Sequence, residues 1–127
     1  MLLKEYLSNL ANRIHDCADT GILLSSEITT DFRTEKIGLI EGRLAFSDES
    51  TLYFKEYLDL RYGVTKQTYA FHYQDQNAGL RFRYDNASHK PNLGYQHHKH
   101  TAQGITSTTI PTLQEVLEEI ITTYFEL

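Results

Sequence analysis

The stretch TLYFKEYLDLRY, residues 51–62, decides the fold class. Leu52, Phe54, Leu58 and Leu60 share one side of an extended chain, and Tyr53, Lys55, Tyr57, Asp59 and Arg61 share the other. A period of two over this length marks an antiparallel strand with one face buried and one wet. Glu56 stands among the apolar residues and breaks the pattern. A carboxylate placed there must be paired, hydrogen-bonded or protonated, unless a bulge turns it outward.

Downstream the alternation continues. Tyr69, Phe71 and Tyr73 share one side of residues 67–74, and Asp75-Gln76-Asn77-Ala78-Gly79 is a hairpin connection. Leu80, Phe82 and Tyr84 then alternate with Arg81, Arg83 and Asp85. Upstream, residues 25–46 read as one or two strands ending at Phe46, followed by a turn over Ser47-Asp48-Glu49-Ser50. Helical periodicity appears at both ends. Leu3, Leu7, Leu10, Ile14 and Cys17 make one stripe over residues 2–18, closed by Asp19-Thr20-Gly21. Leu113, Val116, Leu117, Ile120, Ile121 and Tyr124 make another over residues 112–125, where Thr112 and Glu115 fit a capping box. The expected fold is α+β, a single domain over residues 1–127. Its centre is an antiparallel β-meander of four to five strands, with the N- and C-terminal helices on one face. Residues 86–109 lose the alternation and read as a long loop, a length that often carries function.

Composition narrows the function classes. A chain of 127 residues can bury a core without staples. Its net charge of -5 does not advertise a nucleic-acid binder, although a local basic patch can coexist with an acidic whole. One cysteine, Cys17, builds neither an intramolecular disulfide nor a thiolate metal site. Charges interrupt the early apolar runs, so no signal peptide is expected, and no run is long enough to span a membrane. A cytoplasmic location is expected. An exposed sheet face or edge leaves room for a homodimer.

Five of the six histidines, His72, His89, His97, His98 and His100, fall in one stretch, with Arg81, Arg83 and Asp85 just ahead of the densest run and Lys90 beside His89. An extended backbone through that run sends His98 and His100 to one side and His97 and Lys99 to the other. Three readings follow. In the first, two histidines serve as acid and base for metal-independent cleavage of an RNA phosphodiester. Arg81, Arg83 and Lys99 bind phosphate, and Asp85 fixes a histidine tautomer. In the second, His98 and His100 ligate a metal with His89 or Asp85, although Lys99 and the arginines would oppose a cation and no specific zinc signature is present. In the third, the histidines are solvated or packed, and the protein binds a partner without catalysis. Glu56 and His89 are reserve members of a catalytic set. Tyr53, Tyr57, Tyr62 and Tyr84 serve as a base-stacking platform or simply as sheet packing.

Tyr84-Asp85-Asn86, then His98-Lys99-His100, then Pro111-Thr112-Leu113 opening the last helix, form an order that resembles the TumE family, small prokaryotic toxins of toxin–antitoxin pairs. The resemblance covers roughly residues 35–125. It implies a cognate antitoxin as partner and does not settle a reaction. Many relatives carry arginine where this chain has Lys99, which is a poorer bidentate clamp. The reading adopted from the sequence is a toxin-like, metal-independent endoribonuclease with an RNA substrate and no cofactor. Its catalytic candidates are His98, His100, Asp85, His89 and Glu56, and its phosphate-binding candidates are Arg81, Arg83 and Lys99. The alternatives are a non-enzymatic protein- or nucleic-acid-binding module, and a metal-dependent nuclease or nucleotidyl-transfer enzyme with histidine ligands.

Overall fold

A computed structural model describes residues 1–89 and 91–125, so Lys90 lies outside the described residues. The alternation at 51–62 forms strand β3 (Thr51–Asp59), and its neighbours pair with it in chain order. They are β1 (Leu23–Phe32), β2 (Ile37–Phe46), β4 (Thr65–Gln74), β5 (Leu80–Asp85), β6 (His98–Thr101) and β7 (Gly104–Ser107). All pairs are antiparallel, in the order β1-β2-β3-β4-β5-β6-β7. Helices α1 (Leu3–Asp19) and α2 (Leu113–Tyr124) flank the meander in sequence.

The meander has seven strands rather than the four to five expected. The two extra ones, β6 and β7, lie inside the stretch read as loop. Each is four residues long, and Ile105 is the one large apolar residue in either. No hydrophobic alternation reveals them, because their backbones extend the β5 edge without adding to the core.

One face of the sheet carries the core. Leu52, Phe54 and Leu58 of β3, Tyr69, Phe71 and Tyr73 of β4, and Phe82 and Tyr84 of β5 are buried there. Leu10, Ile14 and Cys17 of α1 and Leu113, Val116, Leu117 and Ile120 of α2 join the same cluster. Tyr84 therefore belongs to the core and not to an open aromatic platform. Gly42 sits opposite Phe54 in the register, and a Cβ built on it would overlap the Phe54 ring. The absent side chain is what lets that ring lie over β2.

Glu56 is fully buried on this helix-covered face. The Tyr6 hydroxyl of α1 donates to Oε1 at 2.7 Å, and Lys66 Nζ lies 2.6 Å from Oε2. Lys66 also donates to the Pro111 carbonyl at 2.7 Å. Burial and the adjacent Glu56 charge push the Tyr6 hydroxyl far above its ordinary pKa, so it remains a donor. Lys66 reaches this face because the β3–β4 register shifts between Tyr57 and Leu58, which sets Leu58 opposite Lys66. Glu56 thus ties α1, β3, β4 and the approach to α2 together, and the structure places it away from the histidines.

A second shift, between Tyr73 and Gln74, moves Arg81 out of line with Arg83. Arg81 Nη1 donates to Asp48 at 3.0 Å and to the Tyr73 hydroxyl at 2.7 Å, and its guanidinium lies over the Tyr124 ring. The bulge thus places Arg81, expected to bind phosphate with Arg83, beside Asp48 and Tyr73. Burial raises the Asp48 carboxyl, but the Ser50 hydroxyl and N–H and the Arg81 guanidinium outweigh it and hold the group below its ordinary range.

Two outcomes follow. Lys66→Met strands the Glu56 carboxylate and costs about 3–5 kcal/mol in urea unfolding, most of which the Glu56→Gln, Lys66→Met double variant recovers. Because the Asp48 pKa is depressed on folding, its contribution is present above the ordinary carboxylate pKa and lost as pH falls through the depressed one. Thermal melts of Asp48→Asn across the acid range should therefore decline less steeply than those of the wild type.

Candidate functional site

The other face of the sheet is polar, and register lines its side chains into rows. Arg83 of β5 pairs with His72 of β4 and His100 of β6, and Asp85 pairs with Ala70 and His98. Paired residues on neighbouring strands point the same way, so Asp85, His98, His100, Arg83 and His72 meet on one face. Alternation sends Lys99 to the opposite face, as the sequence predicts. There its ammonium lies 2.9 Å from Glu119 Oε2 on α2, while the Tyr84 hydroxyl donates to Glu119 Oε1. Lys99, expected to bind phosphate beside the histidines, therefore lies on the face opposite His98 and His100. His97 also turns away, stacking on Tyr69 with its Nδ1 3.1 Å from the Tyr69 hydroxyl.

Asp85 is the hub. It is 4% exposed although it sits on the wet face of the sheet. Arg83 Nε donates to its Oδ2 at 2.8 Å, and His100 Nε2 lies 3.4 Å from that same oxygen. His98 Nδ1 lies 3.3 Å from Oδ1, and His100 Nε2 lies 3.4 Å from it. Burial raises the Asp85 carboxyl, but the Arg83 hydrogen bond, the His100 charge and the His98 contact outweigh it and leave the group below its ordinary range.

The other nitrogen of His98 fixes its tautomer. Nε2 is 2.9 Å from the Tyr95 carbonyl oxygen, which can only accept, so Nε2 carries a hydrogen. In neutral His98 the Nδ1 lone pair therefore points at a carboxylate. Only a proton or a cation between them makes that arrangement favourable. His89 completes the group from the loop, with its ring edge-on to His98 at 4.4 Å and stacked on His100 at 5.2 Å. One ligand-type atom from each of Asp85, His89, His98 and His100 lies within 4.8 Å of the others.

His72 stands on the far side of Arg83. Arg83 Nη1 approaches its Nδ1 at 3.3 Å, and its Nε2 lies 3.1 Å from Gln74 Oε1. Burial and the Arg83 charge lower the His72 pKa against the Gln74 contact, which fits a neutral ring accepting from Arg83. Beyond the histidines a cleft of about 400 Å³ is lined by residues 86–89, 92–96 and His98. Asn86 anchors its base, accepting from Tyr69 N–H and donating to the Gln67 carbonyl.

The structure thus brings together Asp85, His89, His98, His100 and Arg83 from the sequence candidates, and it places Glu56, Arg81 and Lys99 elsewhere. Sequence reasoning did not find the Tyr95 carbonyl as the tautomer-setting acceptor. A backbone acceptor leaves no residue-type signal.

The chain belongs to the TumE toxin family, since the family model described as Toxin TumE matches residues 10–125. The match starts inside α1, well upstream of the resemblance read from the sequence. No curated protein and no solved structure matches the chain. No described helix is long and apolar enough to cross a membrane.

The opposite directions of neighbouring histidines give a direct test. His97→Phe should retain growth arrest in induced cells, because its ring packs on Tyr69, whereas His98→Ala and His100→Ala should abolish arrest while keeping the wild-type circular dichroism spectrum.

Proposed function

We propose that Asp85, His98 and His100, with His89 from the loop, hold one divalent transition metal, and that this toxin acts by metal-assisted attack on a phosphodiester. The observation that carries the reading is the fixed His98 tautomer facing Asp85 at 3.3 Å. Charge-assisted hydrogen bonds between such groups run to about 2.7–2.9 Å, shorter than either histidine–Asp85 distance. Metal–ligand bonds of about 2.0–2.1 Å at tetrahedral angles separate the ligand atoms by about 3.3–3.4 Å. The separations of 3.3 and 3.4 Å fall in that range, and one ligand-type atom from each of the four residues lies within 4.8 Å of the others.

The donor set suits zinc or another borderline metal that accepts imidazole and carboxylate. Asp85, His98 and His100 come from paired strands, which hold ligands more firmly than a loop does. His89 reaches in from the loop, so the fourth position can be given up to water or substrate. The Tyr95 carbonyl and the Arg83 guanidinium orient His98 and Asp85 from behind, as outer partners of metal ligands do. A metal bound here supplies Lewis acidity and a water of lowered pKa.

The metal-independent reading asks His98 to be a general acid or base in contact with substrate. Its side chain is 3% exposed and both ring nitrogens are engaged, which counts against that role. An antitoxin that silences the protein is the partner this family membership suggests, and RNA is the substrate class proposed.

Untagged protein stripped with chelator and titrated with zinc should bind one ion per chain and melt at a higher temperature. His98→Ala should lose the ion, and Arg83→Ala should bind it about 10–100-fold more weakly. RNA cleavage should stop with EDTA and return with metal. Cleavage that persists in EDTA, from protein holding no metal, would overturn the proposal in favour of histidine acid–base chemistry.

A further inference from the structure

The row that contains the metal candidates does not end at them. Register continues it from His100 through Arg83 and His72 to Tyr53 of β3, Arg43 of β2 and Glu27 of β1. The adjacent row runs from His98 through Asp85 and Ala70 to Lys55 and Glu41. Between these rows lies a groove of about 350 Å³, floored by Gly42 and Ala70 and walled by Arg43, Tyr53, Lys55 and Arg83. With strands about 4.8 Å apart, Tyr53 stands about 14 Å from His100 along the row.

Three features of this groove bear on its occupant. Tyr53 is 42% exposed, with the Arg43 guanidinium 6.0 Å from its ring centroid. Large aromatic rings are ordinarily more covered, so an exposed one beside a cation offers a stacking surface. Arg43 and Lys55 make no ion pair with any carboxylate among the described residues, although Glu27 and Glu41 lie directly across from them. The charges are also ordered. The two glutamates stand at the β1–β2 end, and Lys55 and Arg83 stand toward the histidines. A polyanion is therefore favoured over the half of the groove next to the site and repelled beyond β2. Finally, the groove is open and shallow and runs across several strands, unlike the enclosed pockets that bury most of a small ligand.

We infer that this groove seats a single-stranded nucleic acid, with one base stacked on Tyr53 and its neighbouring phosphates on Lys55 and Arg83, so that the next phosphodiester reaches the edge of the cluster at His100. This assignment rests on the metal reading for what happens at the phosphodiester, but it concerns binding alone. It makes Tyr53 and Lys55 substrate-positioning residues at a distance from the reacting atoms.

The test is fluorescence anisotropy with a short labelled 2′-O-methyl oligouridylate, which has no 2′-hydroxyl to attack its own phosphodiester and whose integrity is checked on a gel after each titration, using zinc-loaded full-length protein. Wild type should bind, with affinity falling as salt rises. Tyr53→Ala should weaken binding by about 5–100-fold, in line with the loss of one base–aromatic stack. Lys55→Glu should weaken it and flatten the salt dependence. Arg13→Glu, the same charge change on the exposed side of α1, should leave it unaltered. Absent binding by wild type, or binding unaffected by both groove variants, would overturn the inference. So would uridine monophosphate binding more tightly than the oligonucleotide, which would make the groove a mononucleotide site. Zinc content measured on the same samples separates the two readings. One zinc per chain with no groove effect sinks the groove alone, and a groove effect without zinc sinks the metal alone.

Discussion

The pairing register of β5 with β6 is the constraint on which the site depends. Asp85 stands opposite His98 and Arg83 opposite His100, and a slip of one residue would reverse every side chain of β6. Lys99 would then enter the polar row, and both histidines would face α2. Two features oppose that slip. Lys99 and Tyr84 are cross-strand partners on the core face, and both reach Glu119 of α2. The turn between Thr101 and Gly104 fixes the return strand, with Gly104 at φ 133, where a side chain would be strained. Lys99 thus serves the site by being absent from it. Its charge is held by Glu119 and Tyr84 against the burial that would lower its pKa.

Two buried carboxylates, one on each face, show how environment divides structure from chemistry. Glu56 is closed off, with both oxygens at short distances from Tyr6 and Lys66 and no solvent beside it. Removing one partner of such a pair is costly because the charge left behind has no outlet. Asp85 has Oδ2 satisfied by Arg83, while His98 faces Oδ1 and His100 stands equally far from both oxygens. A closed carboxylate can organise a core, whereas an oxygen held open beside two lone-pair donors can take a cation.

Much of the core was legible. Period-two alternation located β3, β4 and β5, helical stripes located α1 and α2, and Glu56 announced itself as an exception that needed a partner. The opposed directions of His98 and His100 against His97 and Lys99 also followed from alternation alone. Register and bulges were not legible. Arg81 alternates with Phe82 in the sequence as regularly as Arg83 does, yet the shift beside Tyr73 carries it to Asp48. Lys66 reaches Glu56 through a similar irregularity. Bulges are set by how two strands fit together, and neither strand records the other's geometry. The strands β6 and β7 were hidden for a related reason, since their pairing rests on backbone hydrogen bonds and Ile105 is their one large apolar residue.

Electrostatics at first argues against both a metal and a polyanion. The chain is acidic overall, and arginine and lysine flank the histidines in sequence. The fold resolves each objection by position. Lys99 is removed to the core face, and the Arg83 charge is taken up by Oδ2 of Asp85, so it orients the carboxylate whose other oxygen faces the histidines. Glu115, Glu118 and Glu119 belong to α2 on the helix-covered side, while Arg43, Lys55 and Arg83 share the open face with Glu27 and Glu41 at its β1–β2 end. Net charge averages over two surfaces that a ligand meets one at a time. An anion approaching the open face meets Arg43 and Lys55, which pair with no described carboxylate, and, at the end of the row, the cluster proposed to hold a cation. A nucleic-acid strand suits both, because successive phosphates along one chain can rest on the groove cations and reach the histidine cluster. The same β5–β6 register that gathers Asp85, His98 and His100 therefore sets how far the groove lies from them.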